Sequence, residues 1–223
     1  MKFIGWLLDL LYPPRCVFCR KLLKDDETDI CRKCRATVPM MDGAVKRGSF
    51  FKRCDSLYEY TGDVAASLKR YKFGGMRQYA TVYGRQLAML LLREGADFDV
   101  LTWAPISAKR RRQRGYDQTR LLAEAVANEL GVSCVQTLKK KRDNPAQSSQ
   151  KNAEARRANV LNVYCAVEPE RFAGRRILLI DDIITTGATL NECSRVLLTA
   201  GAESVRCATI AATQFSEKQT VGE

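Results

Sequence analysis

Residues 177–190 read ILLIDDIITTGATL. Residues 176–180 form an almost wholly apolar run, the composition of a strand buried on both faces at the centre of a parallel sheet. Two carboxylates, Asp181 and Asp182, stand at its C-terminal end. Small residues follow (Thr185, Thr186, Gly187, Ala188 and Thr189), then a helical pattern over 190–200 that Gly201 closes. Open α/β sheets bind ligands at such a strand–turn–helix junction. The N–H groups of the turn and of the helix N-terminus present partial positive charge, which suits a phosphate dianion. Gly187 permits close backbone approach, and the threonine hydroxyls add donors. The two carboxylates suit the hydroxyls of a ribose, or a magnesium ion bridging them to a diphosphate.

Working outward, strands are predicted over 204–211, 99–105, 132–138 and 56–60. Helices are predicted over 118–130 (Leu121, Leu122, Ala125, Val126 and Leu130 inward) and 79–94 (Tyr83, Leu87, Leu90 and Leu91 on one face). A short helix over 67–73 stops at Gly74-Gly75. Strand–helix alternation implies a doubly wound parallel sheet. Residues 139–159 are polar, contain Pro145 and read as a long functional loop or flap. The expected division is 1–45 for an N-terminal helix and cysteine module, and 46–223 for the α/β domain.

The chain has 223 residues, a formal net charge of +12 and no histidine. Any general acid or base is therefore a carboxylate, a lysine or a tyrosine. Residues 101–160 hold 13 Lys/Arg against 5 Asp/Glu, a local net of +8. This surplus favours a polyanion such as single-stranded DNA. Its densest part, 105–118, reads PISAKRRRQRGYDQ. Arg110 and Arg114 are candidate phosphate ligands, since guanidinium forks match phosphate oxygens; nucleic-acid backbone binding is the other reading of the same loop.

Cys16-x-x-Cys19 and Cys31-x-x-Cys34 are separated by eleven residues. Two such pairs supply four thiolates to a closed, tetrahedral, structural Zn²⁺ site. The loop is short and polar, so the metal supplies its folding free energy. The other five cysteines are dispersed and read as core residues of a reducing compartment, placing the chain in the cytoplasm. Residues 1–11, MKFIGWLLDLL, are too short to span a bilayer and read as an amphipathic helix ended by Pro13-Pro14.

From 178 to 189 the stretch resembles the PRPP signature of type I phosphoribosyltransferases at every position. The resemblance implies that Asp181, Asp182, Thr185, Thr186, Gly187, Ala188 and Thr189 bind PRPP with Mg²⁺, the two aspartates in the catalytic role. Enzymes of that group acting on 6-oxopurines carry Asp where this chain has Thr185, which disfavours hypoxanthine or guanine as acceptor. Over nearly its whole length the chain resembles the ComF family. The carriers are the Leu11–Cys16 opening (LYPPRC), both cysteine pairs, Lys72-Phe73-x-Gly75, Pro105 and Arg114-Gly115-Tyr116-Asp117-Gln118. Gln147, Arg157-x-Asn159-Val160 and the PRPP loop complete the set. Asp117 stands where Asn is more usual, and Gln150 where an apolar residue is expected. The resemblance implies a role in handling incoming single-stranded DNA during natural transformation, with competence-machinery proteins as partners. It implies that Lys72, Arg110, Arg114 and Gly115 meet pyrophosphate or nucleic acid. Transfer to an unidentified small nucleophile and PRPP sensing without turnover remain alternative outcomes of the same site.

Overall fold

The structure is a computed structural model that describes residues 13–41, 46–141 and 162–214. The expected helix over 1–11 and all but the first residues of the 139–159 loop, Gln150 included, lie outside the described residues.

Among the described residues, six strands and six α-helices follow in chain order. They are α1 (Arg32–Thr37), β1 (Arg53–Glu59), α2 (Gly62–Phe73), α3 (Tyr79–Arg93), β2 (Val100–Trp103), α4 (Ala108–Arg114) and α5 (Gln118–Leu130). Then come β3 (Leu138–Lys140), β4 (Tyr164–Ala166), a 3₁₀ turn (Pro169–Arg171), β5 (Arg176–Ile184), α6 (Ala188–Thr199) and β6 (Ser204–Ala212). The main sheet has the order β1-β6-β5-β2, and every pairing in it is parallel. β3 and β4 form a separate antiparallel pair.

β5 lies between β6 and β2, and its residues 177–182 are all buried. Because side chains alternate across a strand, Leu178 and Ile180 enter one core while Ile177 and Leu179 enter the other. The first core takes Leu68 of α2, Tyr83 and Leu87 of α3, and Leu122 and Val126 of α5. The second takes Leu190, Cys193 and Leu197 of α6, with Leu138 and Tyr164 of the β3–β4 pair. Helices thus cover both faces, as the doubly wound reading requires. On α3 the four residues expected inward are buried; on α5 Leu122 and Val126 are fully buried, while Leu121, Ala125 and Leu130 pack at the margin.

The predicted strand over 132–138 is corrected. Only Leu138 belongs to a strand, and the chain touches the open edge of β2 through a single parallel bridge, Cys134 to Leu101. α5 begins and ends at the predicted residues. Asp117 caps it by accepting from the Thr119 and Arg120 N–H groups, both at 3.1 Å, and Gly131 ends it in the left-handed region at φ +68°.

Candidate functional site

β5 runs on to Ile184, four residues beyond its predicted end, because pairing with β6 continues through Ile184 opposite Ala212. Asp181 and Asp182 therefore lie within the strand and point to opposite faces. The turn Thr185–Gly187 follows. Gly187 sits at φ +77°, where an L side chain is strained, and α6 starts directly after it, two residues earlier than expected. The first N–H groups of α6 have no partner within the helix; that of Ala188 reaches the Thr186 hydroxyl at 3.4 Å. Asp181, Thr185, Gly187, Ala188 and Thr189 line one cleft together with Ile183, Ile184 and Leu190. From the other side of the turn the buried Lys46 ammonium donates to the Thr185 carbonyl oxygen. Burial pulls the Lys46 pKa down to about 8.

The two aspartates have different surroundings. Asp182 pairs with the Lys72 ammonium at 2.8 Å and accepts from Gln118 Nε2 at 2.8 Å. Asp181 accepts the Asp182 N–H at 2.8 Å. Burial, then the Asp182 charge, push the Asp181 carboxyl up to about 8, against the pull of Lys72 and Lys140. Lys72 is thus brought to the predicted loop, which its place 110 residues upstream does not announce. Gln118, Lys46 and Lys140 belong to the same neighbourhood and were not foreseen. Gln118 sits in the Arg114–Gln118 motif, which was a usable signal; Lys46 and Lys140 carry none.

The basic stretch 105–118 is not a plain loop. It contains α4, capped by the Ser107 hydroxyl, which accepts the Arg110 N–H at 3.3 Å, and ended by Gly115 at φ +77°. The i,i+4 spacing puts Arg110 and Arg114 on one side of α4. Arg114 is partly buried and feels the Asp182 charge, and burial lowers its pKa. Lys109, Arg111 and Arg112 are exposed. Gly115 is exposed, and its carbonyl accepts from the Arg77 guanidinium at 2.9 Å. Asp117 is the helix cap; its second oxygen accepts the Ile106 N–H at 3.4 Å. The unusual residue there thus serves the backbone.

Away from the cleft, the thiols of Cys16, Cys19, Cys31 and Cys34 all lie within 4.8 Å of one another. Cys19 Sγ and Cys31 Sγ are 3.6 Å apart. Four sulfurs at about 2.3 Å from a tetrahedral Zn²⁺ stand roughly 3.8 Å from each other, so the cluster fits the ion. A backbone knuckle shapes the first pair: Cys16 N–H donates to the Lys21 carbonyl at 2.9 Å and Arg20 N–H to the Cys16 carbonyl at 3.0 Å. Burial pushes the Cys19 and Cys34 thiols up, and the Cys34 N–H holds the Cys31 thiol down. Cys54, Cys193 and Cys207 are buried in the core; Cys134 and Cys165 are half-buried. Among the described residues no helix is long and apolar enough to cross a membrane.

Two domain families match the chain, the phosphoribosyl transferase domain over residues 119–220 and the double zinc ribbon domain over residues 7–45. Competence protein F of Haemophilus influenzae is 26% identical over 219 residues, 86% of this chain and 94% of that protein. The chain is similar to the ComF proteins over most of its length. Competence protein ComFC of Bacillus subtilis is 28% identical over 200 residues, 83% of this chain and 78% of that one. The DNA utilization protein YhgH of Escherichia coli K12 is 22% identical over 201 residues, 86% of this chain and 87% of that one. Among solved structures, glutamine PRPP amidotransferase from B. subtilis, complexed with ADP and GMP, aligns with a TM-score of 0.43 at 21% identity. That alignment covers 63% of this chain and 30% of the larger one. The parallel sheet, the phosphoribosyl transferase match and the four-cysteine cluster make the fold type I phosphoribosyltransferase-like with an N-terminal zinc-binding module. The zinc ribbon match and the sulfur geometry support a structural zinc ion at the four cysteines.

Proposed function

We propose that this chain binds PRPP with Mg²⁺ at the Asp181–Thr189 loop and single-stranded DNA along its basic face, and that it acts in DNA uptake in the cytoplasm. The observation that carries the reading is the cleft itself. Asp181 lines it beside a turn whose N–H groups suit a phosphate, and the buried Asp182, on the opposite face of the same strand end, holds the Lys72 ammonium. Arg110 and Arg114, on the inner side of α4, are assigned to the pyrophosphate, and Lys109, Arg111 and Arg112 to the nucleic-acid backbone. Asp181 and Asp182 would offer oxygen donors to a magnesium ion arriving with the diphosphate, and the chemistry supplied there would be charge neutralisation on the phosphate oxygens. The relatives' names, competence protein and DNA utilization protein, favour the DNA role. The same reading divides the chain into a zinc module, 1–45, and a phosphoribosyltransferase-like domain, 46–223.

Calorimetric titration of PRPP with Mg²⁺ tests the ligand. Heat of binding is expected for the wild type and is lost in Asp182→Asn; no heat from the wild type removes the PRPP assignment. Single-strand binding is expected to weaken steeply with salt, and more gently once Arg111 and Arg112 become alanine.

One observation favours turnover as a second reading. Asp181, pushed up to about 8, exchanges a proton readily near neutrality. In phosphoribosyl transfer a nitrogen nucleophile bonds to C1 of PRPP, the C1–O bond to pyrophosphate breaks, and the proton of the nucleophile passes to the Asp181 carboxylate. Pyrophosphate release across a panel of bases and amines would then rise with pH up to about 8 in the wild type. The Asp181→Asn variant would lose it. No release with any acceptor leaves binding alone.

A further inference from the structure

Phe73 is 70% exposed, the most open large apolar side chain among the described residues. It nevertheless occupies a fixed place. It is the last residue of α2, immediately after Lys72, whose ammonium pairs with Asp182. The Arg114 guanidinium lies 4.6 Å from the centre of its ring. The chain on either side of the ring is tied to the α4–α5 junction. The Tyr116 hydroxyl donates to the Tyr71 carbonyl, and Arg77 donates to the Gly115 carbonyl while lying 5.0 Å from the Tyr116 ring. Beyond Phe73 come two glycines, and a Cβ built at Gly75 meets nothing within 4 Å.

These surroundings select the partner. An apolar peptide side chain needs a groove of apolar neighbours, and the neighbours here are glycine, arginine and lysine. A planar π ligand attached to phosphates matches better. It stacks on the ring face opposite the Arg114 guanidinium, and its phosphates meet the exposed Lys109, Arg111 and Arg112. We infer that Phe73 is a stacking platform for an unpaired nucleobase of a single-stranded nucleic acid whose phosphates run along α4. The inference rests on the single-strand reading above and adds the residue that holds the base. A free nucleotide presents the same ring chemistry, so the test separates the two sources.

The experiment measures fluorescence anisotropy of a labelled thymidine oligomer and of an abasic oligomer of equal length, each across a salt series. The full chain is compared with Phe73→Ala and Phe73→Trp. Phe73→Ala is expected to weaken the thymidine oligomer roughly 10-fold, within the range of one base–aromatic stack. Its salt slope stays unchanged and abasic binding is unaffected. Phe73→Trp is expected to restore the affinity, and the fluorescence of its added indole to be quenched by the oligomer. Equal effects of Phe73→Ala on both oligomers, or none on either, overturn the platform while leaving the basic surface standing. Quenching of Phe73→Trp by thymidine monophosphate but not by the oligomer overturns the strand assignment and gives the ring to a small nucleotide. Wild-type protein that binds neither oligomer in a salt-dependent way removes the single-strand reading itself, and the platform with it.

Discussion

At neutral pH Asp181 holds a proton, because burial and the Asp182 charge push its carboxyl up to about 8. In the unfolded chain the same group titrates near pH 3.9. Between these values the native state binds more protons than the unfolded one, so this group's contribution to stability is complete below about pH 4 and is lost as pH rises through about 8. The chain has no histidine, so few other groups titrate in that window. Urea midpoints of the ligand-free protein should therefore fall between pH 5 and 8 by more in the wild type than in Asp181→Asn. Equal slopes would show that Asp181 is ionised throughout. Asp182 makes a different prediction. It is buried and paired with Lys72, whose side chain is mostly covered. Lys72→Met leaves that carboxylate without its cation and should cost about 3 kcal/mol in a denaturant titration. The double variant Lys72→Met, Asp182→Asn should recover most of the loss, and additive costs would show that the pair is not coupled.

At the scale of elements, α3 and α5 touch where both are narrow. A Cβ on Gly84 would stand 2.5 Å from the Ala125 Cβ and 3.0 Å from the Ala125 carbonyl carbon. Gly84→Ala should force the helices apart, destabilise by roughly 1–3 kcal/mol and lower Tm, and Ala125→Gly should restore part of the loss. Gly84 has no special backbone angle, and its need is set by a helix some forty residues away, so the sequence alone does not announce it. The same distinction between local and distant causes explains which elements were readable. α5 carries its own cap, its own stop and an apolar stripe, and both ends agree with the structure. α4 has a cap and a stop but no buried residue, so hydrophobic periodicity had nothing to detect. α2 begins at Gly62, five residues before the reading placed it, and its Thr61 cap position makes no side-chain capping bond. The apolar residues of 132–138 resembled a strand, yet only one bridge ties that stretch to β2, and Leu138 turns to a different partner. In the candidate site, the turn after β5 was legible because it is contiguous. The contribution of Lys46 was not, because it reaches the Thr185 carbonyl across 139 positions of chain.

At the scale of the molecule, the four-cysteine cluster and the candidate site share one helix. The Ser67 hydroxyl of α2 bonds with the Val17 carbonyl at 2.6 Å, and Arg70 donates to the Val17 and Phe18 carbonyls at 3.1 and 2.5 Å. Phe18 itself packs edge-on against Tyr58 of β1 at 5.2 Å and, tilted, against Tyr83 of α3 at 6.4 Å. Two residues past Arg70, Lys72 holds Asp182. Chelation should therefore release one zinc per chain, lower Tm and weaken PRPP binding in calorimetry together. Ligand affinity that survives zinc loss would show that the sheet alone holds α2. The carbonyls that Ser67 and Arg70 grip belong to the residues immediately after Cys16, so the metal knuckle and the helix were shaped against each other. A recombination event joining the cysteine segment of one relative to the sheet of another would have to keep the donors at 67 and 70 and the ring at 18, whereas any residue at 17 supplies the same carbonyl. Inheritance of the two parts is thereby linked at residues 18, 67 and 70.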